Sequence, residues 1–91
     1  MGTTADHLLI YSYVDGMAEK RTPHRDVHLA HVAIQREAGH ITSAGAFEPP
    51  SGAALVFTGV ERSDIEAFVA ADPYNRAGLI ADWRIERWNV H

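Results

Sequence analysis

Two short stretches of the chain are apolar on both alternations at once. In Leu8 to Val14, the residues Leu8, Ile10 and Val14 fall on one side of an extended backbone and Leu9, Tyr11 and Tyr13 on the other; in Ala53 to Thr58, Leu55 and Phe57 stand against Ala54 and Val56. Successive side chains on a strand face opposite ways, so a sheet built on these segments has two apolar faces to bury. A lone sheet with one face in water does not meet that requirement.

The remaining signals set the order of elements. Leu8 to Val14 closes at Asp15-Gly16, a pair that favours a turn. Thr22 reads as an N-cap with Pro23 in the first helical turn, and His24 to Ala38 runs without a breaker until Gly39. Ile41 to Phe47 and Ala53 to Thr58 read as the second and third strands, joined by a Pro-Pro-Ser-Gly loop. A second helix is predicted from Ser63, with Glu66 completing a capping box and Ile65, Phe68 and Val69 buried; it ends at Asp72-Pro73, because the residue before proline avoids the helical region. Leu79 to Val90 is the last strand. Leu79, Ala81, Trp83 and Ile85 alternate with Asp82, Arg84 and Glu86, and the pattern slips at Arg87-Trp88, which predicts a bulge there.

The resulting order, strand–helix–strand–strand–helix–strand, predicts an α+β fold of ferredoxin-like type with a four-stranded antiparallel sheet in the order 4-1-3-2. Its 91 residues suit one domain spanning 1–91. Two helices cover one face of such a sheet, so a second copy is expected to cover the other, as a homodimer. Trp83 and Trp88 are assigned to the core or to that interface.

Composition narrows the partners. The net charge is −4 and the basic residues are interspersed with acids, so nucleic acid is not expected as a partner. Absence of cysteine removes disulfides, thiolate metal sites and a cysteine nucleophile together, and suits a cytoplasmic protein. Met1 to Asp6 carries no basic leader and the apolar runs are only strand-sized, so neither a signal peptide nor a membrane span is expected.

In the predicted topology one end of the sheet gathers Asp15, His24 and His28, the segment Gly45 to Phe47, and Asp72 with Tyr74. His24, His28 and His31 recur at i, i+4 and i+7, on one helical face. An imidazole oriented by a carboxylate is a competent general acid or base, and Asp15 and Asp72 are both candidate orienters. Two histidines one turn apart can also share a zinc ion, but the third is poorly placed for a tetrahedral site and no fourth ligand stands out, so no metal is expected. The small residues Ser43 to Ala46 allow either a ligand or a helix to approach the backbone closely. Tyr11, Tyr13 and Tyr74 are candidates to line a pocket or to belong to the core.

Three segments resemble one known family. Arg25-Asp26-Val27-His28-Leu29 resembles the Arg-x-x-His-Leu motif of the YciI-like (YCII-related) family, Ser43-Ala44-Gly45 resembles its small-residue strand, and Ala71-Asp72-Pro73-Tyr74 with Gly78-Leu79 resembles its Asp-Pro-Tyr turn into the last strand. The resemblance implies a dimeric α/β barrel and a pocket with a His–Asp pair, here His28 with Asp72 or Asp15. Relatives in that family include a dehydrochlorinase acting on an aromatic ring, while similar barrels include lactone isomerases, cyclases and monooxygenases, so the fold alone does not set the reaction. The chain departs from the family pattern in its extra histidines, His24 and His31, and in its short loop between the second and third strands.

The function expected is that of a cofactor-independent lyase or isomerase of a small molecule, working by proton transfer. His28 would move the proton, Asp72 or Asp15 would orient it, and Tyr11, Tyr74 or a backbone amide near Gly45 would hold a developing oxyanion. Tyr13, His24, Arg25 and Phe47 complete the candidate ligand contacts. The alternatives are a non-catalytic module that binds a small aromatic or carbonyl ligand, and a cofactor-free oxygenase of an aromatic substrate.

Overall fold

The computed structural model describes residues 6–89. Its four strands are β1 (Asp6–Tyr13), β2 (Ile41–Ala46), β3 (Gly52–Phe57) and β4 (Ile80–Trp88), in the order β2-β3-β1-β4 with every pair antiparallel. This is the predicted order read from the other edge, and the fold is ferredoxin-like. Between the strands lie α1 (Met17–Lys20), a 3₁₀ turn over Thr22–His24, α2 (Arg25–Glu37), α3 (Arg62–Ala71) and α4 (Pro73–Arg76). None of the helices among the described residues is long and apolar enough to cross a membrane.

The two-sided alternation is realised in the register. Leu9 pairs with both Leu55 and Ile85, and Tyr11 with Ala53, so these side chains share the face that meets the helices. There they are buried together with Phe57, with Ile65, Phe68 and Val69 of α3, and with Val32 of α2. The rings of Phe57 and Phe68 meet edge-on at 5.2 Å, a geometry that suits the aromatic quadrupole. On the opposite face Leu8 pairs with Val56 and Ile10 with Ala54, and all four are only half-buried.

Several local expectations are corrected. Thr22 makes no side-chain cap; the chain passes through a 3₁₀ turn containing Pro23, and His24 takes the N-cap position of α2 without a side-chain bond. The capping box of α3 is built two residues earlier than predicted, from Glu61 and Asp64 instead of Ser63 and Glu66. Glu61 has the extended backbone that an N-cap requires, and its carboxylate accepts from the Asp64 N–H while the Asp64 carboxylate accepts from Glu61 N–H. The bulge of β4 lies at its beginning: Ser12 pairs with Asp82 but Tyr13 with Ile80, which leaves Ala81 as the extra residue. Pairing is regular from Asp82 through Trp88, so Arg87-Trp88 is no bulge. Ala81 therefore leaves the buried row, and Trp83 and Trp88 are exposed on this edge strand instead of sitting in the core. Val90, placed in the last strand by the sequence, lies outside the described residues.

Two glycines have roles a side chain would disturb. Gly39 ends α2 with φ of 80°, the left-handed conformation that glycine enters without penalty. A Cβ on Gly52, at the start of β3, would overlap the backbone carbonyl oxygen of Tyr11 on the neighbouring strand. The close approach holds the beginning of β3 against the end of β1, beneath the site described next.

Candidate active site

Asp72 is the centre of the arrangement. Because it precedes Pro73 it adopts an extended backbone (φ −63°, ψ 124°), and from there it caps α4, with Oδ1 accepting the backbone N–H of Tyr74 at 2.9 Å. The same Oδ1 lies 2.8 Å from Nδ1 of His28, and Oδ2 accepts the hydroxyl of Tyr11 at 2.9 Å. The carboxyl group is wholly buried, and its three partners come from α4, α2 and β1. A buried carboxylate meeting three donors is satisfied as an acceptor. With the Tyr74 amide and the Tyr11 hydroxyl donating, Nδ1 of His28 is the third donor, which leaves Nε2 as the ring nitrogen without a protein partner.

The imidazole is fixed on its flat face as well. The Tyr74 ring stacks on His28 with centroids 3.8 Å apart and planes 7° from parallel. Tyr13 meets Tyr74 edge-on at 5.9 Å and lies 6.2 Å from Tyr11. All three tyrosines of the chain thus surround one His–Asp pair. Burial pushes the Tyr11 phenol far above the ordinary range, and the charge of Asp72 beside it pushes the same way. Tyr13 is raised by burial, then by Tyr74 and Asp72, with Arg21 opposing. Tyr74 is raised by burial, with Arg21 and Arg25 pulling it back. These phenols are therefore held as neutral donors.

A cavity of about 390 Å³ opens in front of this group, between α2 and the β2–β3 side of the sheet. His28, Leu29 and Val32 line it from α2; Ala44, Gly45, Ala46, Ala53 and Leu55 form the sheet side; Tyr13 and Tyr74 close one end. The sequence left open whether the small residues of β2 admit a helix or a ligand. They border an open volume here, and no Cβ on Gly45 would meet any atom within 4 Å. Arg21, Arg25 and Arg36 complete the wall.

Of the predicted site residues, His28, Asp72, Tyr11, Tyr13, Tyr74, Arg25 and Gly45 are brought together. Asp15 is not: its turn leads into α1, whose buried Met17 plugs the end of the core, and Asp15 stays exposed over a separate hollow beside Pro49 and Pro50. His24 does not line the cavity either, because the tighter 3₁₀ turn rotates it off the α2 face carrying His28. Phe47 is exposed and borders an adjoining hollow that shares Arg21 and Arg25 with the cavity. His31 turns the other way, bonded through Nε2 to the carbonyl of Phe68 at 2.9 Å and stacked on that ring. Tyr11 lies behind the pair with its hydroxyl committed to Asp72 and does not line the cavity, whereas Tyr13 and Tyr74 do.

Sequence reasoning missed Arg21 and Arg36. A signal for Arg36 was available: it follows Arg25 by eleven residues, three helical turns, and so shares a face with Arg25, Leu29 and Val32. Arg21 had none, because the short α1 that positions it carries no periodic pattern.

None of the curated proteins compared is similar enough to count as a relative. Among solved structures, the 5-chloro-2-hydroxyhydroquinone dehydrochlorinase TftG from Burkholderia phenoliruptrix AC1100, in complex with 2,5-dihydroxybenzoquinone, superposes with a TM-score of 0.83 at 22% identity, over 94% of this chain and 95% of that one. At that identity the likeness establishes the shared fold. The family model described as the YCII-related domain matches residues 5–89, which takes in every element from β1 to β4, and the chain accordingly belongs to the YCII-related family.

Proposed function

We propose that the cavity is the active site of a small-molecule lyase that works by proton transfer, with His28 as the base. The observation that carries this reading is the buried bond from His28 to Asp72, which commits Nδ1 and turns the other ring nitrogen toward an open cavity. Nε2 accepts a proton from a hydroxyl or an acidic carbon of the ligand. The electron pair left behind spreads onto a ligand oxygen held by the neutral hydroxyls of Tyr13 and Tyr74 beside the Arg21 guanidinium. In an elimination from a hydroxylated ring, the His28 imidazolium returns that proton to the ring carbon bearing the leaving group as the ring ketonises, and loss of a second hydroxyl proton then re-forms a carbonyl and expels the leaving anion. Asp72 holds the tautomer and offsets the charge that forms on the ring.

The fold shared with a dehydrochlorinase supports a ring-shaped substrate with ionisable hydroxyls. The test is chloride release from 5-chloro-2-hydroxyhydroquinone by the wild-type chain and by His28→Gln and Asp72→Asn. Each variant is expected to lose about a hundredfold or more in turnover while keeping its fold by circular dichroism. Wild-type turnover in His28→Gln would remove the assignment. Tight binding of 2,5-dihydroxybenzoquinone with no turnover of any chlorinated or hydroxylated ring would instead make the chain a binding module.

The same reading includes a homodimer formed through the sheet face opposite the helices. Leu8, Ile10, Ala54 and Val56 make a contiguous apolar centre there, flanked by Arg84 and Glu86 of β4, and the same face of a second copy would bring an equal apolar centre to cover it.

A further inference from the structure

We infer that the cavity selects a ligand with two separate anionic ends, its reacting ring at His28 and a carboxylate several carbons away at Arg36. The inference rests on the cavity being the ligand site.

The first observation is a segregation of charge. The chain carries twelve acidic residues against eight basic ones, yet three arginines and no carboxylate line this cavity. Arg62 pairs with Glu66 and Arg84 with Glu86, while Arg21, Arg25 and Arg36, like Lys20 and Arg76 elsewhere, have no acidic partner within ion-pair distance among the described residues; what sets the three arginines apart is that they converge on one cavity. Asp72 is wholly buried behind His28 with its oxygens already occupied, and Glu48 borders the adjoining hollow that shares Arg21 and Arg25 without coming within ion-pair distance of either. Guanidinium groups lining one cavity without counter-charges in it favour an anion from outside, which they can hold by paired N–H bonds.

The second observation is that the three charges fall at two ends. The charge of Arg21 is felt by Tyr13 and Tyr74, and that of Arg25 by Tyr74, so both stand at the His28 end where an oxyanion would form. Arg36 lies eleven residues along α2 from Arg25, about 16 Å at 1.5 Å per residue. Between them the wall is apolar, with Leu29, Val32 and Ala33 of α2 facing Ala44 and Leu55 of the sheet. A ring at the tyrosine end, a short apolar arm and a terminal carboxylate match that sequence of surfaces. A simple ring dianion would leave Arg36 without a partner.

A matched pair of probes tests this: 3-(2,5-dihydroxyphenyl)propanoate and its methyl ester, titrated calorimetrically into the wild-type chain, Arg36→Gln and the control Arg62→Gln. The acid is expected to bind wild type and Arg62→Gln about tenfold or more tighter than the ester, the ratio a charge-assisted bond supplies. In Arg36→Gln that preference should vanish while ester affinity is kept, with melting temperatures confirming that each variant folds. Equal binding of acid and ester by wild type, or a preference that survives in Arg36→Gln, overturns the inference. If 2,5-dihydroxybenzoquinone still binds in that case, the cavity remains the ligand site and only the second anionic end is lost. If none of the three compounds binds, both fall together.

Discussion

Asp72 shows how one residue can serve a site and a fold with the same atoms. Its carboxylate ties the hydroxyl of Tyr11, the ring of His28 and the amide of Tyr74, so a side chain without acceptors would strand buried donors from three elements. The tyrosines around it give a second, spectroscopic handle. Burial and neighbouring charge raise the Tyr11 and Tyr13 phenols well above the value of an unfolded chain, near 10. Below that pH both states hold the protons; above it the unfolded chain releases them while the folded chain does not. Stability contributed by these groups is therefore present in neutral solution and falls as pH rises past about 10. An alkaline titration followed by tyrosinate absorbance should show Tyr11 and Tyr13 silent at pH about 11 in the native protein, appearing only as the far-ultraviolet dichroism collapses. Both phenols ionising near their ordinary value with the structure intact would contradict the packing described.

The His–Asp pairing at this site was only half legible from residue types. His28 is named by its motif and by its place on the helix, but two carboxylates at the same end of the topology could not be told apart, because what separates them is a turn of four residues. The short α1 draws Asp15 outward, and it is too brief to leave a periodic signature. Asp72 carried a local signal, Asp-Pro, which correctly ended α3 and, read further, specifies an N-cap whose carboxylate is already aimed inward.

Among the elements, the ends were harder to read than the bodies. In α3 the buried residues are the three that periodicity selects, and in β1 and β3 the buried row is one of the two apolar rows that alternation offers. Caps and bulges depend on one or two backbone dihedrals, and several sequences can satisfy them. At α3 both Ser63-Glu66 and Glu61-Asp64 have the right spacing; the box forms on the pair where the chain is still extended. Asp64→Ala should then cost about 1 kcal/mol of stability, while Ser63→Ala should stay within about 0.5 kcal/mol of wild type, measured by urea unfolding. The reverse order would restore the predicted cap. The bulge at Ala81 has a similar lesson: an alternating pattern that starts at Leu79 places Ala81 in the buried row, but the shift between Ser12 and Tyr13 removes it.

For the molecule as a whole, the unresolved demand is the second apolar face. Its four central side chains are half-buried in one chain, which is consistent with a surface completed by association. Sedimentation equilibrium at micromolar concentration is expected to give twice the monomer mass. Replacing Ile10 and Val56 together with Asp should shift it to the monomer, without disturbing the His28–Asp72 bond on the other side of the sheet. A wild-type chain that stays monomeric would show that this face tolerates water.

The tie at Asp72 has a consequence for how such a protein can change. The groups closest to the proposed chemistry are also the knots joining a strand and two helices, so altering them loosens the whole body. Arg36, Leu29 and Ala33 line the same hollow from α2, are exposed, and make no side-chain hydrogen bond or ion pair among the described residues. New ligands are therefore most easily accommodated by drift along that wall, with the proton-handling centre carried unchanged from one substrate to the next.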